Sequence, residues 1–600
     1  MIAPPGNAPG VSHAAIGLAT TFLEGLGAVA LSAFELAGIG KGRFIAGWKL
    51  AVTFEGAQEH VLAVVLPEGF PYEAPRIAVL DAPAVLSWPH LEEDSMLCVL
   101  PAGTSVDPEA PIEQIRELLH DAVRLVQDIL AGRLDDDFDR EFTAYWRRGV
   151  ATGVQNFRSL LAPGGTHREV WIWRGKSFHV VAETDDDLRN WLANRFGKKE
   201  AAGKALGKCI CLVAENSMRP GNYPRTAADL GRLFAGDDHA LDLLIRQAFR
   251  EGARDVVLAV PTPTGVGFAA VSITSGRPPP PSKGRVDTLW KGFRKGSMPR
   301  HIAILRVTSA ESKVTRHKVE RVDHRWNHGR DHDSRQDVIK GASVLVIGCG
   351  SLGSSVAELL ARAGVGQLTL VDGEIMDWPN ISRHALGADQ VGQPKASSLA
   401  RRLSAAFPHL AGVDAVDQHL TVATSNRLAG HDLVVTTTGA WSVDSLVNAC
   451  QRNGEAGTVL YAWLEPHAAA AHAVTVPTSG ACLRCHMAST GAPELAVSRW
   501  EGGGAITIPS CGGTFTPYGA ADLAFAHALV AGQALEALVT PTVDSCHAAW
   551  IGRTAGWQGL GGSLNPAWRE QVGDPGEGGV VVMRPWIRVS ACPICGANRI

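Results

Sequence analysis

The sequence predicts a multidomain protein of the α/β class, and three observations carry that prediction. The chain has 600 residues, too many for one hydrophobic core and enough for three or four domains. A buried strand, a glycine-rich turn and a helix follow one another between Ser343 and Ala363. Ahead of them, two stretches at about 11–150 and 165–330 alternate strand-like runs with helical periods.

The glycine-rich stretch organises the chain. Val344–Ile347 is an apolar run bounded by glycine, followed by Gly348-Cys-Gly350-Ser-Leu-Gly353 and then a helical composition from Ser354 to Ala363. Gly348 allows the tight turn, Gly350 lets backbone approach phosphate, and Gly353 lets the helix pack on the strand. The helix N-terminus favours an anion, so the unit reads as Rossmann-like. The next strand, Gln367 to Val371, ends in Asp372, placed for ribose hydroxyls. Alone, this fingerprint suits a dehydrogenase as well as any other nucleotide enzyme.

Downstream residues move the reading away from hydride transfer. Asn380-Ile-Ser-Arg383-His384 and Gly392-Gln-Pro-Lys395 follow Asp372. An enzyme in which a carboxylate attacks the α-phosphate of ATP needs fixed cations, which hold the triphosphate and stabilise the departing pyrophosphate. The plain alternative is surface basic residues on a loop and a helix. With these motifs in this order, about 331–600 resembles the adenylating domain of ubiquitin-activating (E1) enzymes and their bacterial ThiF-type relatives. The resemblance implies ATP with Mg²⁺, and a nucleotide site of Gly348, Gly350, Gly353, Asp372, Asn380, Arg383 and Lys395. It also implies a homodimer in which Arg335 reaches the partner's ATP phosphates. Arg330 is a rival for that role, and a solvated linker is the plain reading of both. The family usually ends the strand at about 432–437 with a magnesium aspartate. Here that strand ends Thr436-Thr-Thr-Gly439 and the first acid is Asp444, so Asp372 or Asp444, with water and phosphates, is left to hold Mg²⁺.

Cysteine usage adds two features. Cys482-Leu-Arg-Cys485 and Cys592-Pro-Ile-Cys595 supply four thiolates in two C-x-x-C pairs. That set suits tetrahedral Zn²⁺ in a clip that pins the last residues to the domain, with a redox dithiol as the rival for either pair alone. Cys511, in a glycine-rich loop ahead of a long helix from Ala520 to Leu538, occupies the place where E1-like relatives keep their acceptor cysteine. Cys546 is its rival, while Cys349 and Cys450 read as structural.

The N-terminal stretch has its own pattern. A helix is expected over 11–36, strands over Arg43–Glu55, Glu59–Leu66 and Arg76–Leu80, and a helix over Ile112–Leu130. A proline-rich corner, Pro67 to Pro75, precedes Trp88-Pro89-His90 and then Cys98. This order resembles a ubiquitin-conjugating (E2, or UBC) domain of α+β type with Cys98 as acyl acceptor. His90 stands where the family has the asparagine that stabilises the oxyanion, and it can donate the same hydrogen bond. The plain alternative for Cys98 is a buried apolar cysteine.

Between the two lies an α/β stretch without a phosphate turn. Its strands are expected at Glu169–Trp173, Phe178–Ala182, Lys208–Ala214, Asp255–Val260 and Gly267–Ile273, with helices at Asp185–Phe196 and Ala240–Arg250 and a loop at Pro278–Pro281. Cys209 and Cys211 read as core residues. The module is expected to link or orient, or to be an inactive adenylation-like unit. The expected domains are 1–160 (E2-like), 161–330 (linker module) and 331–600 (Rossmann-like E1/ThiF adenylation domain with a zinc clip).

Composition narrows the function classes. A net charge of −4 gives no electrostatic reason to bind nucleic acid. Glu24 and Glu35 interrupt the apolar region 14–37, which argues against a membrane span, and the first residues lack the basic start of an export signal. Eleven cysteines in such a chain point to a reducing cytoplasm. The order E2-like, linker, E1-like resembles bacterial E2–E1 fusions of antiphage (CBASS) operons. That resemblance implies a relay: adenylation of a protein's flexible C-terminal tail, a thioester on Cys511, transfer to Cys98, and delivery to a target amine. The activated protein is a cyclic-oligonucleotide synthase (CD-NTase) in one group and a ubiquitin-like protein in others. Sulfur-carrier activation of ThiF/MoeB type, or a regulatory nucleotide-binding scaffold, are the competing classes.

Overall fold

In the computed structural model, residues 9–99, 106–250, 254–274, 288–294, 296–507, 514–515 and 518–596 are described. The chain forms two compact units. One holds residues 1–159, 163–181 and 207–320, and the other holds 160–162, 182–206 and 321–600.

The first unit begins with the helix Pro9–Gly25 and a four-stranded antiparallel meander of Val29–Ala30, Phe44–Thr53, Glu59–Pro67 and Arg76–Val79. The helix is shorter than expected. Gly27 adopts φ 81°, and Ser32 and Glu35 close a capping box that starts a separate short helix, Ala33–Gly38. The helix Pro111–Leu130 starts with proline at its first position and buries Ile115, Leu118, Ala122, Val126 and Ile129 at spacings of three and four. The first four of these side chains share a core with Leu62, Val64, Leu66 and Ile77 of the meander and Leu23 of the first helix.

The same unit carries an eight-stranded mixed sheet running from Asn156 to Arg321, in the order Lys313–His317, Gly265–Thr274, Asp255–Thr262, Gly207–Val213, Arg168–Arg174, Phe178–Ala182, Asn156–Ser159 and Val319–Arg321. The short helix Phe142–Arg147 seats Phe142 and Trp146 on this sheet, and Trp146 Nε1 donates to the His317 carbonyl at 2.9 Å. Cys209 and Cys211 are buried in its core. Pro278–Pro281 lie outside the described residues.

In the second unit, five parallel strands run in the order Gly412–Val416, Gln367–Val371, Ser343–Ile347, Leu433–Thr436 and Thr458–Leu464. Three antiparallel strands, Ala470–Val476, Cys546–Ile551 and Val580–Pro585, extend the sheet. The parallel strands are near-continuous apolar runs, as burial on both faces requires. In this register Ile347 lies opposite both Val371 and Thr436. The glycine turn, Asp372 and Thr437 therefore emerge together at the carboxyl ends of the strands, where the strand order switches direction and ligands bind in such sheets.

The helix Ala520–Val539 is, among the described residues, the one helix long and apolar enough to cross a membrane. Here it covers the sheet and buries Leu523, Ala526, Val530 and Ala534 at intervals of three and four. The helix Asp185–Phe196 falls where expected, but it packs in the second unit. Asn194 Nδ2 caps the carbonyls of Pro408 and Leu410 at 3.4 and 3.0 Å.

Candidate active sites

The nucleotide site is built on the turn between Ser343–Ile347 and the helix Ser351–Ala363. Gly348 turns the chain at φ 87°. A Cβ at Gly353 would lie 1.8 Å from the Gly348 oxygen, so the helix can approach the strand only through glycine. A Cβ at Gly350 would meet nothing within 4 Å, which leaves open space before the helix N-terminus, where first-turn amides have no carbonyl to meet. The turn's carbonyls face away from that space. Thr437 Oγ1 donates to Gly348 O at 2.7 Å and His384 Nε2 lies 2.5 Å from Cys349 O. Burial lowers the His384 imidazole to about 4 and keeps it neutral. The turn thus presents donors to an anion.

Asp372 accepts the amides of Cys349 at 2.6 Å and Glu374 at 2.7 Å, one on each oxygen. Lys395 opens the helix Lys395–Ala406, is buried, and donates from Nζ to Glu374 Oε2 at 2.5 Å. That contact holds the Glu374 carboxyl below its ordinary range. Asn380 closes a one-turn helix, with its Oδ1 accepting the Asp377 amide at 3.1 Å, and its carbonyl accepts the Arg383 amide. The Arg383 guanidinium lies 5.5 Å from the centroid of the Tyr518 ring. Arg335 is exposed and paired with Asp333 at 2.9 Å. Arg330 caps a short helix in the left-handed conformation. Asp444 makes a poor magnesium ligand: it is buried, Thr436 Oγ1 donates to it, and burial pushes its carboxyl up to about 6.

Four sulfurs meet near the C-terminus. Those of Cys482, Cys485, Cys592 and Cys595 all lie within 4.8 Å of one another, with separations of 4.0, 3.5 and 3.3 Å for three of the pairs. A tetrahedral Zn²⁺ with Zn–S bonds of about 2.3 Å sets sulfurs roughly 3.8 Å apart, so the residues fit that ion. Their crowding pushes the Cys485 thiol below its ordinary range, first through its hydrogen bond with Cys482, whose own thiol is pushed up.

Cys511 lies outside the described residues. In sequence it falls between Ile506–Thr507 and Thr514–Phe515, which pair antiparallel. Its rival Cys546 is half-buried at the start of a strand paired on both sides. Cys349 and Cys450 are buried, and burial raises both thiols.

In the first unit, Cys98 is exposed. Its amide donates to the His90 carbonyl at 2.8 Å, beside the bridge between Leu91 and Leu97, so the two residues face each other across a short antiparallel pairing. His90 Nε2 lies 3.0 Å from Asp137 Oδ2, and the His90 amide donates to Tyr145 Oη at 3.0 Å. The imidazole is raised to about 9, first by its hydrogen bond to Cys98 and then, against burial, by Asp137 and Glu141. Sequence patterns missed Asp137 and Tyr145, which reach His90 across 47 and 55 residues of chain. Glu374 was missed too, although it stands two residues after Asp372 in the same loop.

A sheet of this order with a phosphate turn at its switch point, joined to a meander domain presenting a cysteine, defines an E1/E2-like ATP-dependent conjugating enzyme. Residues 327–540 match the ThiF family and residues 43–152 match Prokaryotic E2 family B. The chain is therefore an E2–E1 fusion, with a UBC-type domain ahead of a ThiF-type adenylation domain. It is 25% identical to the ATP-dependent ubiquitin transferase-like protein Cap2 of Pseudomonas aeruginosa, over 88% of this chain and 90% of that protein. It is 28% identical to Cap2 of Vibrio cholerae, over 68% and 72%. A molybdopterin-synthase adenylyltransferase of Salmonella typhimurium is 40% identical across 19% of this chain and 46% of its own. Among solved structures, Escherichia coli MccB covers 44% of this chain and 69% of its own at 17% identity and a TM-score of 0.31, too loose a likeness to carry any argument.

Proposed function

We propose that the chain activates the C-terminal tail of a protein and conjugates it to an amine through two cysteines. The division into 1–160, 161–330 and 331–600 assigns conjugation to the first part, a linking role to the second and activation to the third. ATP binds at the turn of Gly348, Gly350 and Gly353, with its ribose on Asp372 and its triphosphate on Asn380, Arg383 and Lys395. Arg335 is contributed across a homodimer. Mg²⁺, held by the phosphates, water and a carboxylate such as Asp372, would neutralise charge on the triphosphate. The tail carboxylate attacks the α-phosphate and releases pyrophosphate. Cys511 displaces AMP to form a thioester, Cys98 accepts the acyl group, and the target amine receives it, with His90 beside the developing oxyanion. Fusion raises the effective concentration of the second thiol near the first.

One observation carries this reading: an exposed Cys98 beside His90 in a matched E2-type domain, in the same chain as the matched ThiF-type turn. The name of the Cap2 relatives, ubiquitin transferase-like, supports it. The activated protein in this proposal is a CD-NTase acting in antiphage defence in the cytoplasm, with a small ubiquitin-like protein as the alternative. Sulfur-carrier activation of ThiF/MoeB type has the molybdopterin-synthase adenylyltransferase likeness in its favour, but it leaves residues 11–150 without a task.

The relay is tested by stalling it. Cys511→Ala still adenylates the tail and forms no thioester. Cys98→Ala accumulates a reducible adduct on Cys511 and makes no amide product, and Cys98→Ser traps an oxyester. Mass spectrometry that finds the adduct on Cys546, or conjugation that persists without Cys98, refutes the assignment.

A further inference from the structure

Asp137 has no part in the relay as stated, yet it is built into the Cys98 site. It opens the short helix Asp137–Arg140, and its side chain is 16% exposed against 18% for His90. One carboxylate oxygen meets His90 Nε2 at 3.0 Å and the other meets Arg140 Nη1 at 3.3 Å. His90 is held in the left-handed region at φ 57°, a conformation costly for a non-glycine residue and kept only where its surroundings impose it. Those surroundings are Tyr145 on its amide and the Cys98 amide on its carbonyl. With Nε2 engaged by Asp137, Nδ1 is the ring nitrogen that remains, on a residue paired through its backbone with Cys98.

Building on the conjugation reading, we propose that Asp137 fixes His90 as the acid–base group of Cys98: His90 takes the proton from the amine attacking the Cys98 thioester and returns it to the departing sulfur. The amine nitrogen bonds to the acyl carbon and its proton passes to the imidazole. The C–S bond then breaks, and the sulfur leaves with that proton as a thiol. Amide and free Cys98 result, and His90 ends as it began. An oxyanion donor alone would not need a carboxylate on its far nitrogen; a base does, because the carboxylate fixes the ring's orientation and stabilises the imidazolium that forms.

The charged and titratable groups facing the ring are Asp137, Glu141, Tyr145 and Cys98, with Arg140 behind Asp137 and Arg148 over the Tyr145 ring at 5.0 Å.

The test bypasses ATP and the carrier. The full chain is pulsed with p-nitrophenyl acetate, and loss of acetyl from the Cys98 peptide to glycinamide is followed by mass spectrometry across pH. In the wild type the rate rises along a limb that titrates with His90. His90→Gln loses the limb and slows on the order of a hundredfold. Asp137→Asn keeps the limb but shifts it to lower pH, because the carboxylate favours the protonated ring, and slows transfer by about tenfold or more. A purely structural Asp137 would scale the rate without moving the limb. Variant profiles that superimpose on the wild type, or an unmoved limb in Asp137→Asn, overturn the proposal. Absence of an ATP-driven adduct on Cys98 would instead refute the conjugation reading and leave this chemistry standing.

Discussion

Two glycines of the phosphate turn, three residues apart, answer oppositely to alanine. At Gly353 the new methyl falls 1.8 Å from the Gly348 oxygen and 2.3 Å from Thr437 Oγ1. The threonine can rotate but the backbone oxygen cannot, so the helix start must retreat by about 1 Å. Overpacking of this kind costs about 1–3 kcal/mol or more, offset by about 1 kcal/mol of helix propensity. The expected net loss is about 2 kcal/mol, roughly 4–8 °C in melting temperature for a domain of this size. At Gly350 the methyl meets no protein atom within 4 Å. There the folding cost is at most about 1 kcal/mol, for alanine at a helix N-cap, and the methyl intrudes instead on the space assigned to phosphate. Thermal unfolding by circular dichroism, with titration of a fluorescent ATP analogue, separates the two. Gly353→Ala melts early. Gly350→Ala melts near the wild type and binds nucleotide weakly. Wild-type stability in Gly353→Ala, or full nucleotide affinity in Gly350→Ala, would refute the reasoning.

Three other expectations are open to test. Arg383→Ala should lose carrier-stimulated ATP–pyrophosphate exchange by on the order of a hundredfold or more, and exchange at the normal rate would remove Arg383 from the site. Elemental analysis should find one zinc per chain, and Cys595→Ser should lose it and loosen the tail while the nucleotide still binds; metal-free protein purified without chelator would contradict the clip. Asp444 titrates at about 6 in the fold against 3.8 as a free group, so the folded state holds its proton more tightly and stability falls as pH rises between those values. Asp444→Asn keeps an oxygen for Thr436 and should be more stable than wild type at pH 7.5, by up to about 3 kcal/mol. The advantage should vanish near pH 3.5, and equal melting temperatures at both pH values would show that the carboxyl is not desolvated.

Much of the second unit was legible because its signals are local. Val344–Ile347, Gln367–Val371 and the helix from Ala520 declare themselves by apolar length and glycine punctuation, and the structure moves their ends by a residue or less. The helix Asp185–Phe196 was equally legible as a helix, since Thr184 caps it and three aspartates fill its first turn. Its place was not. Periodicity records hydrogen bonds within an element and says nothing of which sheet the element will cover, so a helix inside the middle stretch of sequence packs in the second unit. The single helix expected over 11–36 failed for a local reason, the apolar period continuing past Gly25 and Gly27 while the backbone turned. Asp137 left no trace at all, because a charged residue in Asp135-Asp136-Asp137 reads as solvated surface until the fold sets it against His90.

The cysteine cluster has a bearing on motion. Cys482 and Cys592 are 110 residues apart, and the intervening chain includes Cys511, the long covering helix and two antiparallel strands. A metal on the four sulfurs turns that stretch into a closed ring, whose ends stay fixed whatever happens along its circumference. Closing a ring of such length takes more freedom from the unfolded chain than closing a short one. Rearrangement anywhere along that stretch would then leave its two ends together, so the strands beside the cluster keep a fixed anchor.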